Sequence, residues 1–278
     1  MNKNLFSVFT KPWKTQPLDE LGGLVKDMGF DAVEYPFRDG YQVQPADGIE
    51  GIRKLVKTLE KCGIAVTSLA ADIDVQTAGG KETGDISEAV FAGCGETGIP
   101  VIRICQNYNR SLGWHENMEA LKRKYGKILP FCQKYNVTLG IQMHQGAANV
   151  NGSWDSYFLL KDFDPKYIAA VWDAGHAALA GESPDYGLDC LWDHLCMVNF
   201  KSAYWHRKNP ECAAEQAQWT PLWVTAKNGM CGWKDSVDYL KKHGYRGTVC
   251  MPAEYSDLAN TETYIREDIK YIRELFAG

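Results

Sequence analysis

Short apolar runs alternate with amphipathic stretches along most of the chain. The runs at Leu5–Phe9, "FDAVEYPF" and "IAVTSLAA" read as strands, and each precedes a stretch with helical spacing of aliphatics. Helices are predicted over Leu18–Met28, Ile49–Cys62 and Ile86–Thr97, ending at Gly29, Gly63 and Gly98, where a left-handed residue closes the last turn. The alternation continues with strand "IPVIRICQ", helix Glu116–Tyr135, strand "VTLGIQMH", helix Asn151–Leu160, strand "YIAAVWD", a short helix Leu188–His194 and strand "CMVNFKS". After an interruption, helix Trp233–His243, strand "GTVCMPAE" and helix Glu262–Phe276 complete it. Eight strands that alternate with helices at this spacing form a parallel sheet through right-handed crossovers. Over 278 residues they fit one closed (β/α)8 barrel of the α/β class. An open doubly wound sheet is the alternative, but no GxGxxG or phosphate-loop motif follows the first strand.

The interruption, about 203–231, is rich in Trp, Pro and Asn and has no clear period. Loops of this length inside a compact domain are usually functional or disordered. Trp205, Trp219, Trp223 and Trp233 argue against disorder, so an ordered loop that covers something is expected. With no linker and no repeat, residues 1–278 read as a single domain carrying this insertion.

Charge and cysteine usage narrow the class. A net charge of −5 gives no electrostatic footprint for nucleic acid or an anionic membrane. The 9 Cys show no CxxC and no zinc spacing; Cys62, Cys94, Cys105, Cys132 and Cys250 sit in apolar segments and are expected to be core thiols in a reducing compartment. No signal-peptide pattern opens the chain and no run is apolar enough to span a bilayer, so a cytoplasmic location is expected.

Residues at the carboxyl ends of barrel strands face one shared mouth. The second strand offers Glu34, and the fourth offers Arg103, with Gln106 and Asn107 beyond it. The fifth offers Gln142 and His144, two apart and so on one side. The sixth runs into "VWDAGHAALA" with Asp173 and His176, the seventh offers Asn199 and Lys201, and the eighth Glu254. Plainer roles compete: Asp173 can cap the next turn, and Glu34 and Arg103 can form buried ion pairs. Gln142 and Asn199 can satisfy loop backbone. His115, His194, His206 and His243 read as structural. No Ser/His/Asp elbow or reactive-cysteine signature is present. A mouth rich in acids, amides and imidazoles suits a polyhydroxylated small molecule such as a sugar, on which Trp205 and the Trp-rich insertion could stack.

"VTLGIQMHQG", "VWDAGHAAL", "HLCMVNFKSA" and "KHGYRGTVCMPAEYSD" resemble strands five to eight of the xylose isomerase-like TIM barrels, a family of sugar isomerases and epimerases, dehydratases and endonuclease IV. "MGFDAVEYPF" and "AGCGETGIPVIRI" resemble its strands two and four. The resemblance implies a divalent metal, Mn2+ or Mg2+, held by Glu, Asp, His and Glu from strands five to eight, with the two acids moving a proton next to a carbonyl. This chain departs from that pattern. The acid of strand five is Gln142, Asp173 is retained with His176, the strand-seven His is Asn199 with Lys201 retained, and the strand-eight acid aligns with Pro252 while Glu254 follows two residues later. Gln142, Asp173 and Glu254 are the metal ligands this implies, a weakened set, and Gln142 cannot be a general base. The expectation is a sugar or polyol isomerase or epimerase with Glu254 as base and His144, His176 or Lys201 as acid partner. Glu34, Arg103, Asn199 and Trp205 would contact the substrate. A lyase on an oxidised sugar and a non-catalytic sugar-binding barrel are the alternatives. No nucleotide cofactor or nucleic-acid partner is expected, and a homo-oligomer is plausible through the outer helices.

Overall fold

The computed structural model describes residues 4–71, 84–105, 109–146, 151–212 and 215–278. Gln106 and Asn107 lie outside them. Eight parallel strands close into a barrel: β1 (Leu5–Phe9), β2 (Ala32–Phe37), β3 (Ala65–Ala71), β4 (Val101–Ile104), β5 (Thr138–Gln142), β6 (Ile168–Asp173), β7 (Leu195–Asn199) and β10 (Thr248–Met251). Their order around the barrel follows the chain, and β10 closes on β1 with Leu5 opposite Thr248. The connecting helices are α1 (Leu18–Asp27), α2 (Gly48–Glu60), α3 (Gly84–Thr97), α4 (Trp114–Tyr135), α5 (Ser153–Leu160), α6 (Ala174–Leu179), α7 (Pro184–Leu191), α8 (Trp233–Lys242) and α9 (Thr261–Ala277). Gly29 and Gly98 follow their helices with φ of 95° and 76°, as the sequence predicts.

Apolar burial occurs in two layers. A large one lies between strands and helices and includes Trp172, Phe200 and Trp233. A smaller one, of Phe9, Ala70, Val101, Val171, Met197 and Cys250, comes from strands all around the barrel and packs its interior. Three expectations change. First, the insertion is an antiparallel hairpin, β8 (Ser202–Arg207) with β9 (Trp219–Val224), rather than an irregular loop. Second, a helix that was not predicted, α6, starts directly after β6, and Asp173 takes the capping role weighed for it by accepting from the His176 backbone N–H at 3.1 Å. Third, Cys105 is exposed and not a core residue, whereas Cys94, Cys132 and Cys250 are buried. No helix among the described residues is long and apolar enough to cross a membrane.

Asp268 on α9 ties the hairpin to the last barrel loop. It accepts from the Ala226 backbone N–H at 2.9 Å and from the Tyr255 hydroxyl at 2.8 Å. Burial pushes its carboxyl up to about 6 against those two donors. The folded protein therefore binds this proton more tightly than the unfolded chain. The contribution is complete below the unfolded pKa and is lost as pH rises through the folded one. Asp268→Asn keeps an acceptor for Ala226 and removes the titration. The stability of the native protein relative to Asp268→Asn should fall by about 2–3 kcal/mol between about pH 4 and pH 7, read from urea midpoints.

Candidate active site

The carboxyl ends of the strands open onto a chamber of about 220 Å³ lined by residues that include Arg103, Cys105, Gln142, His144, Asn199, Lys201 and Glu254. A second chamber of about 500 Å³ adjoins it beneath the hairpin and adds His176, Trp223 and Tyr255. Lys11, His144, Lys201 and Glu254 line both. Strand register brings the central pair together, since Asp173 at the end of β6 lies opposite Asn199 at the end of β7.

A chain of polar contacts runs across the mouth. Arg103 donates twice to Glu34, Nε to Oε1 at 2.9 Å and Nη2 to Oε2 at 3.0 Å, and both side chains are buried. The Cys105 thiol donates to Gln142 Oε1 at 3.3 Å, and Gln142 Nε2 donates to Asp173 Oδ2 at 2.7 Å. Lys201 Nζ lies 3.8 Å from Asp173 Oδ2 and donates to Glu254 Oε2 at 3.0 Å. Lys11 Nζ donates to Glu254 Oε1 at 2.6 Å.

Each end of the Lys201 side chain is fixed. Its backbone carbonyl accepts from Trp233 Nε1 at 3.2 Å, and its ammonium sits 4.3 Å from the Trp223 ring centroid, a cation–π contact. Gly175 is what lets the stem and the indole come this close. A Cβ there would stand 2.8 Å from Lys201 Cγ and 2.9 Å from Trp223 Cζ3. Glu254 is aimed by Ala253, whose φ of 51° is left-handed without being glycine. Such a conformation costs on the order of 1 kcal/mol or more and persists where surrounding contacts enforce it.

Charge states follow from these contacts. Burial alone would lower the Lys201 pKa, but Asp173 and Glu254 outweigh it and hold the ammonium above its usual value. Burial would raise Glu254, yet Lys201 and Lys11 bring its carboxyl well below the usual range. Burial, reinforced by the charge of Lys201, lowers both His144 and His176, and His176 falls well below its ordinary value. Both imidazoles are therefore neutral at pH 7, and their hydrogen bonds set the tautomers. His144 Nδ1 donates to the Gln145 carbonyl at 3.0 Å, leaving Nε2 as an acceptor. His176 Nδ1 accepts from the Gln145 N–H at 3.2 Å, so its proton is on Nε2. The two rings lie 3.8 Å apart, centroid to centroid. His176 Nε2 and both amide atoms of Asn199 are buried with no partner among the described residues.

Most of the residues read from the sequence converge here. Four assignments change. Glu34 is fully buried and engaged by Arg103, so it buttresses the site from behind the chamber wall. Trp205 lines neither chamber; its indole N–H donates to the Leu179 carbonyl at 3.2 Å, and Trp223 takes the position over the site. Glu254, the expected base, is held as a weak one by two ammonium groups. Cys105 is a chamber residue that fixes the Gln142 amide. Lys11 and Trp223 were missed. Lys11 follows the first strand, whose end offered no acid or imidazole, and the side of the hairpin that Trp223 occupies depends on register.

A family model described as xylose isomerase-like TIM barrel matches residues 23–275. The chain belongs to the xylose isomerase-like TIM barrel family. No curated protein matches it. Among solved structures it is similar to the 3-keto-D-glucoside 4-epimerase YcjR from E. coli, with TM-score 0.74, 14% identity, and 98% of this chain and 100% of that chain covered. It is likewise similar to a probable 3-DHS dehydratase, AsbF, from Bacillus anthracis, with TM-score 0.74, 14% identity and coverage of 97% and 98%. D-psicose 3-epimerase from Clostridium cellulolyticum H10 aligns with TM-score 0.70, 11% identity and coverage of 98% and 99%. At these identities the likeness concerns the fold.

The divalent metal implied by the family resemblance does not fit the donors present. Gln142 and Asn199 are neutral, and no group of three His, Cys, Asp or Glu able to hold a metal occurs among the described residues. Asp173 and Glu254 are already matched by Lys201 and Lys11.

The Glu34–Arg103 pair is strong only while both partners are present. Arg103→Met leaves a buried carboxylate alone and should cost about 3–5 kcal/mol in urea unfolding, and adding Glu34→Leu should recover much of that loss.

Proposed function

We propose that the protein is a carbohydrate isomerase or epimerase that moves a proton at a carbon next to a carbonyl. The observation that carries this reading is His144, a neutral imidazole whose Nε2 lone pair is available in a chamber beside a fixed ammonium. His144 takes the hydrogen from the hydroxyl-bearing carbon of a hydroxy-ketone to give an enediolate, and the imidazolium delivers that proton to the former carbonyl carbon while the hydroxyl proton passes to the former carbonyl oxygen, which completes the isomerisation. Asn199 supports the same reading. Its amide nitrogen and oxygen have no partner among the described residues, and a donor beside an acceptor is the complement of a carbonyl beside a hydroxyl. Trp223 closes one side of the larger chamber and limits water. The activities named for the YcjR and psicose epimerase structures are of this class.

A dehydratase reading has one supporting observation. A single effective base, His144, suffices for elimination next to a carbonyl, because Glu254 is a weak base here. Product analysis separates the two readings: elimination yields a conjugated carbonyl with ultraviolet absorbance, and isomerisation does not.

Incubation of the protein with a panel of ketoses and keto-sugars in heavy water tests the assignment. NMR should show deuterium entering the carbon next to the carbonyl of at least one of them. His144→Gln should slow that exchange by about 10²- to 10⁴-fold with little change in melting temperature. Exchange at the native rate in His144→Gln would remove the base assigned here, and no exchange with any member of the panel would remove the reaction class.

A further inference from the structure

We propose that Lys201, the lysine that the family pattern retains two residues after its strand-seven ligand, here takes over the role of the family's divalent cation: it is a built-in positive charge that binds the substrate oxygen, and the site works without metal. The second half of this statement rests on the proton-transfer reading; the first half does not.

The argument begins with how completely Lys201 is built in. It is 6% exposed, and its ammonium lies where the ends of β6, β7 and the loop after β10 meet. It contacts Glu254 at 3.0 Å and stands 3.8 Å from Asp173, the two acids that would otherwise ligate a metal. Trp223 covers one face, and Gly175 keeps space for the stem. An ammonium has three N–H donors. Among the described residues Glu254 takes one, the Trp223 face lies beside the ammonium, and Asp173 is beyond hydrogen-bond reach. Donor capacity therefore remains for a ligand in the chambers that Lys201 lines.

The surrounding charges agree. Among the described residues two carboxylates, Asp173 and Glu254, face two ammoniums, Lys201 and Lys11, so this set leaves no negative charge over for a dication. The substitutions at the ligand positions also act in one direction. Gln142 is neutral and presents its amide nitrogen, not an oxygen, to Asp173. Asn199 brings an amide where an imidazole ligand would stand, and its atoms have no partner among the described residues. A preformed cation acts on a developing oxyanion as a metal would, with no exchange of ligands.

The test is a titration of the full chain with Mn2+, followed by the electron paramagnetic resonance signal of free Mn2+. The native protein should leave that signal undiminished up to millimolar concentrations. The variant Lys201→Met with Gln142→Glu removes the ammonium and restores an acid, and it should gain Mn2+ affinity by at least about 100-fold. Gln142→Glu alone keeps Lys201 and should gain far less. Micromolar Mn2+ binding by the native protein would overturn the proposal, and so would a folded double variant that gains no affinity. If the double variant does not fold, the native titration still decides, together with deuterium exchange after dialysis against a chelator. Loss of exchange on chelation overturns the proposal. Absence of exchange before chelation refutes the proton-transfer reading and leaves the Mn2+ result standing.

Discussion

An ammonium group held between two carboxylates organises the mouth of this barrel. Lys201 has to stay charged in a place with little water, and it does so because Asp173 and Glu254 face it. Those acids need the lysine in turn: Glu254 is brought to it by a left-handed Ala253, and Asp173 also receives the Gln142 amide and the His176 N–H in the first turn of α6. Removing the positive charge would leave two acids facing each other in a poorly hydrated pocket, which is costly. The identity of the neighbours follows from that constraint. Neutral amides at 142 and 199 add no charge to a balanced set, and burial beside a cation keeps the imidazoles at 144 and 176 neutral.

The barrel places this arrangement with little slack. Register fixes Asp173 beside Asn199, and the apolar interior layer below leaves the polar groups nowhere to relax except toward the mouth. Glu34 and Arg103, joined at two points, occupy the wall between strands two and four. The Arg103 guanidinium also lies 4.8 Å from the Phe9 ring centroid, so apolar packing and ion pairing restrain the same side chain. The hairpin completes the enclosure: its Trp223 exchanges hydrogen bonds with Ser256, two residues beyond Glu254, so the roof and the acid are tied to one another.

The sequence made the architecture readable because each strand and helix carries its own period, and glycines mark the helix ends. It also placed Gln142, His144, Asp173, Asn199, Lys201 and Glu254 at one mouth, since strand ends can be counted without coordinates. What it could not convey is which groups neutralise which. Lys11 bonds to Glu254 across 243 positions, and it joins Lys201 in turning a candidate base into a weak one. The hairpin was hidden because Pro221 and a run of Trp and Thr break the strand alternation. Trp205 and Trp223 look alike in sequence, yet in the paired strands Trp205 lies opposite Pro221 and Trp223 opposite Ala203, so only coordinates tell which ring covers the site. Cys105 read as core because its apolar strand continues up to it, one residue past the end of β4.

Proton positions at the mouth are the most direct check on this account. Neutron diffraction from a deuterium-exchanged crystal near neutral pH should show three deuterons on Lys201 Nζ, none on either oxygen of Glu254, and one on His144 Nδ1 with Nε2 bare. A neutral amine at Lys201, a deuteron on Glu254, or a His144 protonated at Nε2 would contradict it.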